Sequence, residues 1–162
     1  LDGLVTMHAM TLTEAIFRLI AAAGFAFLLG LDREIRNKTF GLRTHMLLSV
    51  GTAAFVLITL EGSHQLRTLP EGIALDPARV IQGIIISIGF LAAGAIVQSK
   101  EKVIGATTGA GIWVLGSIGM ACGFGLYLLA GMIMAFGLFI VIALHPFNRW
   151  LDKGNGENGK NG

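Results

Sequence analysis

Gly30-Leu31-Asp32-Arg33-Glu34-Ile35-Arg36-Asn37-Lys38, closed by Gly41-Leu42-Arg43-Thr44-His45, is a knot of charge between two apolar runs. Arg33, Arg36, Lys38 and Arg43 are four of the chain's 12 Lys and Arg residues. Around them the sequence is oily: 54% of the 162 residues are hydrophobic, only 14% are charged, and the mean hydropathy is +0.73. Soluble domains carry about 25% charged residues. So dense a cluster of ionised side chains cannot lie in hydrocarbon. The knot therefore marks a membrane surface, and the runs on either side of it read as spans.

A helix needs about 20 apolar residues to cross a hydrocarbon core of about 30 Å. Working outward from the knot, residues 13–31, 44–60 and 80–98 meet that length. After Lys102 no Asp, Glu, Lys or Arg occurs before Arg149. As one helix the apolar run from Val103 to Leu144 would be about 63 Å long, which is two crossings. The reversal is expected at Ala121-Cys122-Gly123-Phe124-Gly125, where two glycines in three positions permit a tight turn. The expected fold is all-α, a polytopic transmembrane bundle of five spans (about 13–31, 44–60, 80–98, 103–121 and 125–144). Residues 1–12 precede this unit of 13–151, and the Gly/Asn-rich residues 152–162 read as a disordered tail. The first dozen residues carry no Lys or Arg, unlike the charged start of a secretory signal peptide.

Charge bias orients the spans. Arg33, Arg36, Lys38, Arg43, Lys100, Lys102, Arg149, Lys153 and Lys160 fall on one side, against Arg18, Arg67 and Arg79 on the other. By the positive-inside rule the N-terminus lies outside and the C-terminus in the cytoplasm.

Few chemistries fit this inventory. A net charge of +2 with no basic stripe gives no nucleic-acid surface. The single cysteine, Cys122, sits in an apolar run and reads as a small filler. His8, His45, His64 and His145 stand on different segments, without metal-ligand spacing. No phosphate loop, HExxH or GxSxG occurs. The expectation is a non-enzymatic protein with no catalytic residue, cofactor or metal.

What remains are charges at helix ends and small-residue faces. Glu14 and Arg18 share a helix face, and Asp76 and Arg79 stand at the entrance of the third span. They read either as an outer polar cluster, with Arg18 against Asp76, or as two local pairs locking helix ends while Arg18 snorkels. The knot reads either as a solvated anchor that binds anionic headgroups or as a docking surface for another membrane protein, with Thr44 capping the second helix and Arg43 just outside it. Ala22, Ala26 and Gly30, then Gly105 and Gly109, then Gly119 and Gly123, recur at fourfold spacing. Such faces serve packing inside one bundle or a homodimer seam. Trp113, mid-span, is expected to fill a gap beside Gly109, Gly111 and Gly116.

Three stretches together resemble the MgtC/SapB family of bacterial inner-membrane proteins: Gly30 to Glu34 running on to Gly41 to His45; Asp76-Pro77-Ala78-Arg79-Val80 leading to Ile88-Gly89-Phe90-Leu91-Ala92-Ala93-Gly94; and Val103-Ile104-Gly105-Ala106-Thr107-Thr108-Gly109-Ala110 up to Trp113. Arg18-Leu19 also matches. The chain departs from the family pattern at Ser87, Ala92 and Ala106, all small residues that keep close packing feasible. The resemblance is to the short, membrane-only type. It implies a plasma-membrane protein linked to adaptation to low magnesium or related stress. It also implies regulation by contact with the bilayer's other proteins, such as the proton-translocating ATP synthase. A small magnesium or other cation transporter is the rival. The matching positions are Arg18, Asp32, Arg33, Glu34, Arg43, Thr44, His45, Asp76, Arg79, Thr107, Thr108 and Trp113.

Overall fold

The computed structural model describes residues 9–35, 40–67, 76–98 and 103–158, with 144–158 as backbone only. Five helices follow in chain order: α1 (Leu12–Ile35), α2 (Leu42–Arg67), α3 (Pro77–Gly94), α4 (Ala106–Gly123) and α5 (Tyr127–Asn158). Between α3 and α4 lies a two-residue ladder, β1 (Val97–Gln98) antiparallel to β2 (Val103–Ile104), with Val97 opposite Ile104. The fold is an all-α membrane bundle. By length and composition α1 to α4 can each cross a bilayer, and α5 contributes a shorter apolar stretch, Tyr127–Ala143.

Four expectations are corrected. The span expected to end at residue 31 continues to Ile35, so Asp32, Arg33 and Glu34 form the last turn of a helix rather than a loop. The third span stops at Gly94, and the fourth starts at Ala106. The apolar Val97, Val103 and Ile104 extend their runs in sequence but pair as strands, which β-branched residues favour. Thr44 does not cap α2, because that helix starts two residues earlier. Residues 152–158, read as disordered tail, continue α5, since adding a residue to a formed helix is far easier than nucleating one. Of the tail, 159–162 lie outside the described residues, as do residues 1–8 and the basic residues Arg36, Lys38, Lys100 and Lys102.

The helix ends follow from local chemistry. Asp76 accepts a hydrogen bond from the Ala78 amide at 2.9 Å, with Pro77 opening α3, the preferred N-terminal arrangement. Replacing Asp76 with alanine is expected to lower stability by about 1 kcal/mol, read as a lower unfolding temperature in detergent. At the other end of α4 the chain reverses through Gly125 at φ 77°. There the Leu126 amide bonds Ala121 O at 2.8 Å and the Gly125 amide bonds Cys122 O at 2.9 Å. That pair of bonds is the Schellman closure, which needs a left-handed residue where glycine stands.

Small residues close the helix seams, while large apolar ones stand on the outer surface as well as in the core. Ala22, Ala26 and Ala53 are fully buried, while Phe90 and Leu128 are 79% and 80% exposed. Lipid tails are as apolar as leucine, so burying large side chains gains little in a membrane and close approach of small ones gains more. α4 is the hub. More than half of it is buried, and it packs against α1, α2, α3 and α5. One core cluster joins Ala22, Ala26 and Leu29 of α1 to Ala53, Leu115, Ile118, Cys122 and Ala130. A second joins Val56 to Ile84, Ile88, Ala92 and Ile112.

The small-residue faces are used inside this bundle. Gly119 lies so close to α2 that a Cβ there would stand 2.4 Å from Ser49 O, and one at Gly123 would stand 2.6 Å from Val56 Cβ. Gly109 meets Ala92 O of α3 in the same way. Trp113 does not fill an interior gap. It is 47% exposed, with its ring edge over Gly89 of α3, because seams closed to this distance have no room for an indole.

Candidate functional site

Two of the three sequence motifs, the knot and the Val103-to-Trp113 stretch, converge at one end of the bundle. Arg33 is carried on the last turn of α1 and is only 8% exposed. Its Nη2 donates to Thr108 Oγ1 at 2.6 Å, joining residues 75 apart in sequence. Thr108 sits in the first turn of α4 and is itself buried. The guanidinium passes over Gly111, where a Cβ would stand 3.4 Å from Nη1. Arg33 Nε is buried with no hydrogen-bond partner among the described residues. Asp32 supplies the neighbouring negative charge.

His45, in the first turn of α2, is 3% exposed. Its Nδ1 lies 2.9 Å from Gly41 O. A carbonyl only accepts, so Nδ1 carries the proton. Arg33 is close enough for its charge to act on the ring. Leu29, Asp32, Arg33, His45, Gly111 and Leu138 are among the residues around a pocket of about 40 Å³ here. One water needs roughly 10–15 Å³ of such space, so the pocket has room for a few waters and for no larger solute.

Glu34 works on the outside of the same corner. Its Oε2 accepts from the Leu42 amide at 2.9 Å, so a carboxylate from the end of α1 caps the start of α2. Charge and dipole are matched there, and this is why Thr44 is not needed as a cap. Arg43, Thr44 and Thr107 are exposed, and Thr44 borders a groove between α2 and α3. The knot is thus divided. Arg33 and His45 are buried structure, while Glu34, Arg43 and Thr44 form the surface.

The remaining candidates lie elsewhere. Arg18 ion-pairs with Glu14 and donates from Nη1 to Gly123 O at 2.7 Å, placing a cation on the negative end of α4. Arg18 and Arg33 stand 15 residues apart on α1, about 22 Å along the axis, so they bracket the apolar layer. Asp76 caps α3 and faces Arg79 at 3.9 Å, both largely exposed. Glu14 with Arg18 and Asp76 with Arg79 are therefore two local pairs, and among the described contacts none brings Arg18 to Asp76. No group of three metal-binding side chains occurs among the described residues.

A family model described as the MgtC family matches residues 19–150, most of the chain. The chain belongs to the MgtC family. It is 39% identical over 114 residues to a protein of Escherichia coli K12 named "Putative magnesium transporter YhiD", covering 70% of this chain and 53% of that protein. It is 32% identical over 139 residues to SapB of Bacillus subtilis, covering 85% and 58%. It is 34% identical over 116 residues to MgtC of Salmonella typhimurium LT2, covering 72% and 46%. The chain thus spans about half the length of the curated relatives it matches. No solved structure matches it. Membership and the apolar helices together make this a multi-pass protein of the bacterial inner membrane.

Two parts of the site were missed in the sequence: Gly111 as the floor under the guanidinium, and Glu34 as the cap of α2. Glu34 stands eight residues before Leu42, a separation outside the local capping patterns. Gly111 could have been singled out only by knowing that Arg33 turns inward.

Proposed function

We propose that this MgtC-family chain is a non-enzymatic regulator that acts by contact with other membrane proteins during adaptation to low magnesium or related stress. One observation carries the reading: along the middle of α2 the hydroxyls of Ser49, Thr52 and Thr59 are each spent on a backbone carbonyl of the bundle, even where Thr52 borders the groove between α2 and α3. Ser49 Oγ donates to Ala22 O at 3.0 Å, Thr52 to Leu48 O at 2.8 Å and Thr59 to Phe55 O at 2.7 Å. The Arg33 pocket, at about 40 Å³, is too small for a magnesium ion, which gives up its water reluctantly and usually retains several.

In this reading the buried Arg33–Thr108 bond holds α1 and α4 in register. The exposed Arg43, Thr44 and Thr107 then meet the partner on the cytoplasmic side, where charge bias places this end. The proton-translocating ATP synthase is the partner implied by family resemblance. The rival, magnesium transport, draws on the name given to YhiD.

Cross-linking in native membranes followed by mass spectrometry, paired with Mg²⁺ flux in proteoliposomes, tests both. The expected result is recovery of a membrane partner, reduced at least fivefold by Arg43→Ala in a folded protein, with no saturable flux. Saturable Mg²⁺ uptake by the purified chain would overturn the regulatory reading.

A further inference from the structure

At the end of the bundle opposite Arg33 lies an open pocket of about 560 Å³, lined by Arg18, Ser63, His64, Arg67, Leu60 and Phe124 among others. Two polar atoms of these lining residues are buried and have no hydrogen-bond partner among the described residues: Arg18 Nε and Ser63 Oγ. The rest of the Arg18 guanidinium is held fast, with Nη1 on Gly123 O and Nη2 on Glu14. That fixes the direction of the Nε–H. Glu61, the nearby carboxylate of α2, is engaged by the Ala9 amide at 3.0 Å and by Gln65 Nε2 at 3.1 Å.

We propose that this pocket binds the phosphate of an anionic phospholipid headgroup. A buried donor without an acceptor is costly, and an oxyanion supplies several acceptors to Arg18 Nε–H and Ser63 O–H at once. Arg67 adds a second guanidinium, the group best suited to phosphate. Leu60 and Phe124 give the same pocket an apolar wall, as an amphiphile requires and a free ion does not. The location agrees, because the pocket lies where α2 and α4 end and α1 begins, at one end of the apolar helices.

Native mass spectrometry of the full chain, released from micelles doped with phosphatidylglycerol or phosphatidylcholine, tests the assignment. Arg18 also ties α1 to α4, so the variants are Arg67→Gln and Ser63→Ala, each checked for unchanged helicity and a single size-exclusion peak. The expected result is at least a fivefold preference for phosphatidylglycerol adducts. That preference should fall at least threefold in either variant, and millimolar inorganic phosphate should reduce it. Equal retention of the two lipids by the unmodified chain overturns the proposal, as does a preference unchanged in both variants. Binding of inorganic phosphate without any lipid preference assigns the pocket to a soluble oxyanion and overturns the lipid assignment.

Discussion

Replacing Arg33 with leucine is expected to destabilise the bundle by about 3 kcal/mol. Removing one side of a buried, charge-assisted contact costs roughly 1.5–3 kcal/mol for the hydrogen bond alone, and 3–5 kcal/mol where a buried charge loses its counter-charge. Here the 2.6 Å bond to Thr108 goes, and Asp32 loses the cation beside it. Thr108→Val should cost less, about 1–3 kcal/mol, because it strands a donor without deleting the charge. The double variant should be little worse than Arg33→Leu. Equilibrium unfolding in detergent reads the coupling, expected at about 1.5 kcal/mol or more. Simple additivity to within about 0.5 kcal/mol would show that the two residues do not stabilise the bundle through one another. The same variants separate structure from recognition: Arg33→Leu should impair folding and partner recovery together, whereas Arg43→Ala should affect recovery alone.

Gly119→Ala is expected to be about as damaging, at roughly 3 kcal/mol, the upper end of the usual cost of overpacking. The added Cβ would stand 2.4 Å from the Ser49 carbonyl oxygen and 2.9 Å from Thr52 Cβ. A backbone oxygen cannot move aside as a side-chain tip can, so α2 must shift away from α4. That shift also stretches the Ser49–Ala22 bond and opens the cluster around Ala53, Ile118 and Cys122. Gly24 provides the internal control. Nothing lies within 4 Å of a Cβ at that position, so Gly24→Ala should stabilise α1 by up to about 1 kcal/mol through helix propensity. Thermal unfolding of both variants in the same detergent checks the contrast. Equal effects at the two positions would mean that close packing of α4 on α2 does not limit stability.

Much of the fold was legible in the sequence because membrane helices are written in a coarse code. Length and hydropathy located the four long apolar helices, and the two glycines between Ala121 and Gly125 marked the reversal before α5. Helix ends were read less well. Asp32, Arg33 and Glu34 looked like a loop because charges usually leave the hydrocarbon, and nothing local to them shows that Thr108 waits for Arg33. Val97 and Ile104 looked like span residues because an apolar β-branched residue suits a strand or a helix equally.

The sequence by itself determined that this chain is a membrane protein of small-residue helices, and its three motifs determined its family. Only the tertiary structure decided which charges are structural and which are surface. It turned Arg33 and His45 inward, left Arg43 and Thr44 outside, gave Arg18 to Glu14 and the end of α4, and left Asp76 to cap α3. Hydropathy is a property of each residue and survives in the one-dimensional string. A hydrogen bond between residues 33 and 108 depends on how two helices meet, and that is settled by glycine-sized gaps on α4 whose fourfold spacing does not say which helix each gap receives.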